Sequence, residues 1–78
     1  MTLVGVENRH NILVQFGARV RAIRISKSLS QEAFASLCGL DRTYISGIER
    51  GVRNVSLVNL HVLAKALDLS LSELMSEV

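Results

Sequence analysis

Residues 30–51 read SQEAFASLCGLDRTYISGIERG, and the fold is decided in this stretch. Ser30 can accept a hydrogen bond from the first turn of a helix, Glu32 sits where the helix dipole favours a carboxylate, and Gly39 can end the helix in a left-handed conformation. A short helix is therefore expected over about Gln31 to Cys38. Only Gly39, Leu40 and Asp41 separate it from a second helix, which Asp41 caps and which runs from about Arg42 to Glu49 before Arg50 and Gly51. Ala35 falls where two such helices cross most closely and a small side chain is needed. Phe34, Cys38, Leu40, Ile45 and Ile48 point inward, leaving Arg42, Thr43, Ser46 and Gly47 outward on the front of the second helix.

Upstream, Ile12, Phe16, Val20 and Ile23 recur at helical spacing and predict a first helix over about Asn11 to Ser26, with residues 1–10 as an N-terminal tail or arm. Downstream, Ser56 is a further cap, and Leu57, Leu60, Leu63, Ala64 and Leu67 mark the core face of a fourth helix. Ser70 followed by Glu73 makes a capping box for a short fifth helix containing Leu71, Leu74 and Met75. The chain has 78 residues, 49% of them hydrophobic, with 4% aromatic and no proline. That length supports one modest core, and aliphatic residues without proline favour packed helices over a sandwich or barrel. The expectation is an all-α domain over residues 11–78.

The formal net charge is +2, but it is unevenly placed. Phe16 to Arg53 carries a net +4 and Asn54 to Val78 a net −2, which suggests one half facing a polyanion and another half with a different task. Cys38 is the single cysteine, so no intrachain disulfide can form, and it reads as a small core residue. His10 and His61 have no partners at metal spacing. Phosphate-binding glycine loops, paired carboxylates and a Ser, His and acid set are all missing from the pattern, so neither an enzyme nor a cofactor or metal is expected. The opening MTLVGVENRH lacks the order of a signal peptide, and no apolar run is long enough to cross a bilayer; a cytoplasmic protein is expected.

Two short helices joined by three residues that include glycine form a helix-turn-helix pattern. The segments FGARVRAIR, LSQEAFASLCGL, YISGIERG and LHVLAKALDLSLSEL together resemble the Cro/cI-type (XRE) helix-turn-helix family, whose fold is a five-helix, lambda-repressor-like domain. Within it, DRTYISGIERGVRN is most similar to the controller proteins of restriction–modification systems. The resemblance covers Phe16 to Leu74 and implies a non-catalytic, sequence-specific regulator of transcription that binds palindromic duplex DNA as a homodimer. An activator of this kind would also meet RNA polymerase. An antitoxin or phage-type repressor of the same fold is the alternative, and a protein-interaction module is a rival from another class.

The same resemblance implies that Gln31 binds a DNA phosphate through its side chain and neighbouring backbone N–H groups. It places Arg42, Thr43, Tyr44 and Ser46 along the major groove, with Arg50, Arg53 and Asn54 at the DNA backbone; the residues leave open an equal alternative in which the Tyr44 ring packs on the core and its hydroxyl meets a phosphate or nothing. Arg42 suits guanine, because its planar fork matches O6 and N7 together, and Thr43 suits thymine through its methyl or hydroxyl group. Gly47 stands where related proteins carry a long polar side chain, leaving that position to close approach or to no readout. Lys27 and Arg24 are further candidates for phosphate neutralisation. Glu49 is expected to pair with an arginine such as Arg19 or Arg21 and so tie the third helix to the first. Val58, Val62, Leu69, Leu71, Leu74 and Met75, with Val78, supply more apolar surface than one small core absorbs and are the expected dimer interface.

Overall fold

The computed structural model describes residues 3–78, and the side chains of residues 11–78. Five helices follow one another: α1 (Leu3–Ser26), α2 (Gln31–Cys38), α3 (Arg42–Glu49), α4 (Leu57–Ala66) and α5 (Leu71–Leu74). No strand occurs among the described residues. The caps fall where the sequence places them. The side chains of Ser30, Asp41, Ser56 and Ser70 each accept a backbone N–H from the helix that follows, and Ser70 with Glu73 closes a reciprocal capping box. Gly39 ends α2 at φ 67°, a conformation that costs glycine little, and its N–H returns to the last carbonyls of α2.

One boundary differs. α1 starts at Leu3 rather than near Asn11, so residues 3–10 of the stretch expected to be a tail or arm continue the first helix, and residues 1 and 2 lie outside the described residues. Nothing between Leu3 and Asn11 breaks a helix except the mild penalty of Gly5, and the chain has no proline.

The core is built from Phe16 and Val20 of α1, Phe34 and Ala35 of α2, Ile45 and Ile48 of α3, Leu63 and Ala64 of α4, Leu67, and Leu74 of α5. α1 packs on α3, α2 on α3 and α4, and α4 on α5. Cys38 and Leu40 lie half-buried against this core, as expected, and burial pushes the Cys38 thiol up to about 11. Two apolar expectations are corrected. Leu57, expected on the core face of α4, is 71% exposed, because the stripe runs off the edge of the core there: Leu60 is already only half-buried. Leu74, expected at a dimer surface, is fully buried and so belongs to the protomer's own core. Arg19 holds α5 in place from α1, its Nη2 donating to the Glu73 carbonyl at 2.8 Å.

The crossing of α1 over α3 depends on Gly17, a position the sequence reading passed over because one glycine inside a helical pattern carries no distinctive signal. A Cβ at Gly17 would lie 2.3 Å from the Ile48 carbonyl oxygen and 2.7 Å from that of Glu49. Both neighbours are backbone and cannot move aside cheaply. Gly17→Ala is expected to lower stability by about 1–3 kcal/mol, the usual cost of overpacking, despite alanine's better helix propensity. Thermal or denaturant unfolding measures this, and an unchanged midpoint would contradict the tight crossing.

Two exposed capping carboxylates make stability depend on pH. Hydrogen bonds from the Thr43 hydroxyl and then its backbone N–H hold Asp41 below its ordinary value, and Ser70 does the same for Glu73, its backbone N–H first and its hydroxyl second. Each contribution is complete above the ordinary carboxylate range and is lost as pH falls through the lowered values of the folded protein. The melting temperature should therefore drop on acidification from pH 6 to 3. The double variant Asp41→Asn, Glu73→Gln should show a flatter profile, whereas an identical slope would contradict this origin.

Candidate nucleic-acid interface

The two helices of the turn present one continuous polar face, and the way they are locked begins underneath it. Arg24, on α1, is buried and meets the buried Glu49 in a two-pronged contact: Nε donates to Oε2 at 2.6 Å and Nη2 to Oε1 at 3.0 Å. Its remaining nitrogen, Nη1, donates to the Leu29 carbonyl at 2.7 Å in the turn between α1 and α2. The expected tie from Glu49 to an arginine of the first helix is present, but its partner is Arg24 rather than Arg19 or Arg21, since Arg24 is the residue of that face that points inward. Arg24 is equally corrected as a phosphate neutraliser, because its charge is spent inside the protein.

Gln31, the first residue of α2, donates from Nε2 to Glu49 Oε1 at 3.0 Å, so one of its two amide protons is committed inward. Its Oε1 faces outward and accepts from Arg42 Nη1 at 3.5 Å. Ser30 takes the N–H of Ala33, which leaves the N–H groups of Gln31 and Glu32 at the open end of α2, where an anion is favoured.

On α3, Arg42 and Thr43 are exposed and Ser46 is half-exposed, as expected. Asp41 accepts from both the backbone N–H of Thr43, at 2.8 Å, and its hydroxyl, at 2.5 Å. The hydroxyl proton is thus held by the cap, leaving the methyl group and an acceptor lone pair for other contacts. Tyr44 is turned toward α4. Its ring packs against the core, its hydroxyl oxygen accepts from Asn59 Nδ2 at 3.1 Å, and the hydroxyl proton keeps its freedom to donate.

Gly47 is not outward. It is buried under Arg53, whose Cγ lies 2.7 Å from where a Cβ would stand. The Arg53 guanidinium passes over the Tyr44 ring, 5.6 Å from its centre. Glycine here is a seat for a neighbouring arginine, which a linear pattern does not reveal. Asn59 was likewise missed, since an asparagine in the first turn of an amphipathic helix gives no distinctive signal. Lys27, Arg50, Arg53 and Asn54 are exposed.

Of the remaining expected interface residues, Val58 is 71% exposed, and Val62, Leu69, Leu71 and Met75 are half-buried. Met75 also lines an apolar pocket of about 140 Å³, together with Ile12, Leu13, Phe16, Asn54, Val55 and Leu60. Among the described residues, no group of histidine, cysteine and acidic side chains could hold a metal ion, and no helix is long and apolar enough to cross a membrane.

Comparison with known proteins places this geometry. A helix-turn-helix family model matches residues 20–74. The control protein C.MunI from a Mycoplasma species is 49% identical over 70 residues, covering 88% of this chain and 95% of that protein. The solved structure of the restriction–modification controller protein C.AhdI from Aeromonas hydrophila superposes with a TM-score of 0.78 at 60% identity, over 80% of this chain and 94% of that one. A second controller, C.Esp1396I, solved as a tetramer in complex with its natural 35 base-pair operator, gives a TM-score of 0.75 at 37% identity, over 82% of this chain and 88% of that one.

The buried pair sets a stability test. Arg24→Met alone should cost about 3–5 kcal/mol, because it leaves the Glu49 carboxylate buried without its counter-charge. Adding Glu49→Leu should recover much of that loss in denaturant unfolding. Equal or greater loss in the double variant would contradict the assignment.

Proposed function

The chain belongs to the helix-turn-helix family, within its group of restriction–modification control proteins, which are regulators of transcription and not enzymes; from this we propose that it binds a palindromic operator as a homodimer in the cytoplasm. α3 enters the major groove with Arg42, Thr43 and Ser46 toward base edges. The backbone N–H groups at the start of α2 take a phosphate, and Lys27, Arg50, Arg53 and Asn54 flank the groove. Tyr44 moves from base reading to support: it carries Arg53 on its ring, is tied to α4 by Asn59, and has a hydroxyl proton to give to a phosphate. The observation that carries the reading is the polar face formed by the starts of α2 and α3, cationic at its rim and held by a buried ion pair.

The dimer forms through the exposed Leu57 and Val58 at the start of α4, together with Val62, Leu69, Leu71 and Met75. Two large aliphatic side chains, each 71% exposed, support a second buried surface. A twofold axis there sets two α3 helices at half-sites about 34 Å apart. When the protein activates a promoter, RNA polymerase is a further partner.

Site selection on randomised duplex tests the reading. Arg42→Ala should relax preference at one symmetric pair of operator positions, while Arg50→Ala should weaken binding to every sequence alike. A dimer using Lys27, Arg50 and Arg53 neutralises about six phosphates, so the log–log dependence of affinity on salt should have a slope of about −5. Salt-independent binding, or a monomer that keeps full operator affinity in sedimentation at micromolar concentration, would contradict it.

A further inference from the structure

We propose that Glu49 is a specificity-determining positioning residue: from inside the protein it fixes the orientation of the Gln31 amide, and that amide positions the guanidinium of Arg42 over the operator. The proposal rests on the reading of α3 as the DNA-facing helix.

The argument is one of donor and acceptor chemistry. Glu49 is ionised against Arg24, so both its oxygens can only accept hydrogen bonds. A guanidinium such as that of Arg42 can only donate. The Gln31 side chain lies between the two and has one end of each kind. Only one of its two amide orientations satisfies both neighbours: Nε2 toward Glu49 at 3.0 Å and Oε1 toward Arg42 at 3.5 Å. The reversed amide would set its oxygen against a carboxylate and its NH2 group against a cation.

The carboxylate itself cannot drift, because Arg24 grips it with two nitrogens while anchoring to the Leu29 carbonyl. A chain of four side chains therefore runs from the interior to the exposed start of α3: Arg24, Glu49, Gln31, Arg42. Each member is held by the one before it. Arg42 has four side-chain torsions, and a free arginine on a helix surface samples many rotamers. An acceptor fixed beside one prong limits where the fork points, and a fork reads guanine only when both prongs reach O6 and N7 together. The contact leaves the other donors of Arg42 free for the base.

Three variants are compared with wild type by binding-site selection on duplex carrying a randomised segment, with circular dichroism as the check on folding. They are Arg42→Ala, the double variant Arg24→Met, Glu49→Leu, and Gln31→Met. The double variant removes both buried charges, so no unpaired ion is left to unfold the protein. Arg42→Ala identifies the operator positions that Arg42 reads. Both other variants should lose preference at those same positions, discrimination falling by about fivefold or more, the lower end of what a bidentate contact supplies. Adding Arg42→Ala to either should then produce no further loss there.

A merely structural role would reduce affinity for all sequences alike and leave the selected consensus unchanged; that result in the double variant or in Gln31→Met overturns the proposal. If the double variant does not hold its fold, Gln31→Met decides the matter by the same criterion. Should Arg42→Ala itself keep the wild-type consensus, the reading of α3 fails, and this proposal with it.

Discussion

The structure depends on one buried ion pair. Arg24 and Glu49 join α1 to the end of α3, and the same arginine braces the turn that leads into α2. Burying two charges in a domain of 78 residues is expensive, and an apolar pair of similar volume would serve stability as well or better. Directionality is what the pair adds. Apolar packing between Phe16, Val20, Ile45 and Ile48 tolerates small rotations of α3, whereas a two-pronged contact between guanidinium and carboxylate does not. Gly17 allows the α1 and α3 backbones to approach closely enough for it to form, and Gln31 carries the constraint to the surface.

The two faces of the turn thus serve different ends. Inward, α2 and α3 contribute Phe34, Ala35, Ile45 and Ile48 to a core that any compact helical domain needs. Outward, they present Ser46 together with Arg42 and Thr43, the last two with torsional freedom reduced by neighbours: Gln31 beside Arg42, and Asp41 on the hydroxyl of Thr43. Arg53 lies across Gly47 and the Tyr44 ring in the same way. Side chains ordered before binding lose less entropy on meeting their target, which favours affinity.

Much of this was legible in the sequence because helix ends and helix faces are local properties. Ser30, Asp41, Ser56 and Ser70 announce the four helix starts through chemistry confined to three or four residues. The apolar inward positions of α2 and α3, Phe34, Ile45 and Ile48 among them, follow from spacing alone. What the sequence hid was pairing at a distance. Several arginines of α1 were open to Glu49, and only the rotation of α1 against α3 selects Arg24. Leu57 and Leu74 were misassigned because periodicity gives a face but not where the core ends. Gly17 and Gly47 look alike as sequence, yet one accommodates a backbone crossing and the other an arginine side chain.

The most direct test of this account is a nuclear magnetic resonance titration of the protein with its selected operator duplex, following backbone amides together with the side-chain NH2 of Gln31 and the guanidinium groups. The account predicts that the largest changes fall on Gln31, Glu32, Arg42, Thr43 and Ser46, with Arg50 and Arg53 at the margin and the Arg24 guanidinium unmoved. Changes concentrated on α4 and α5, with the start of α3 unaffected, would contradict it.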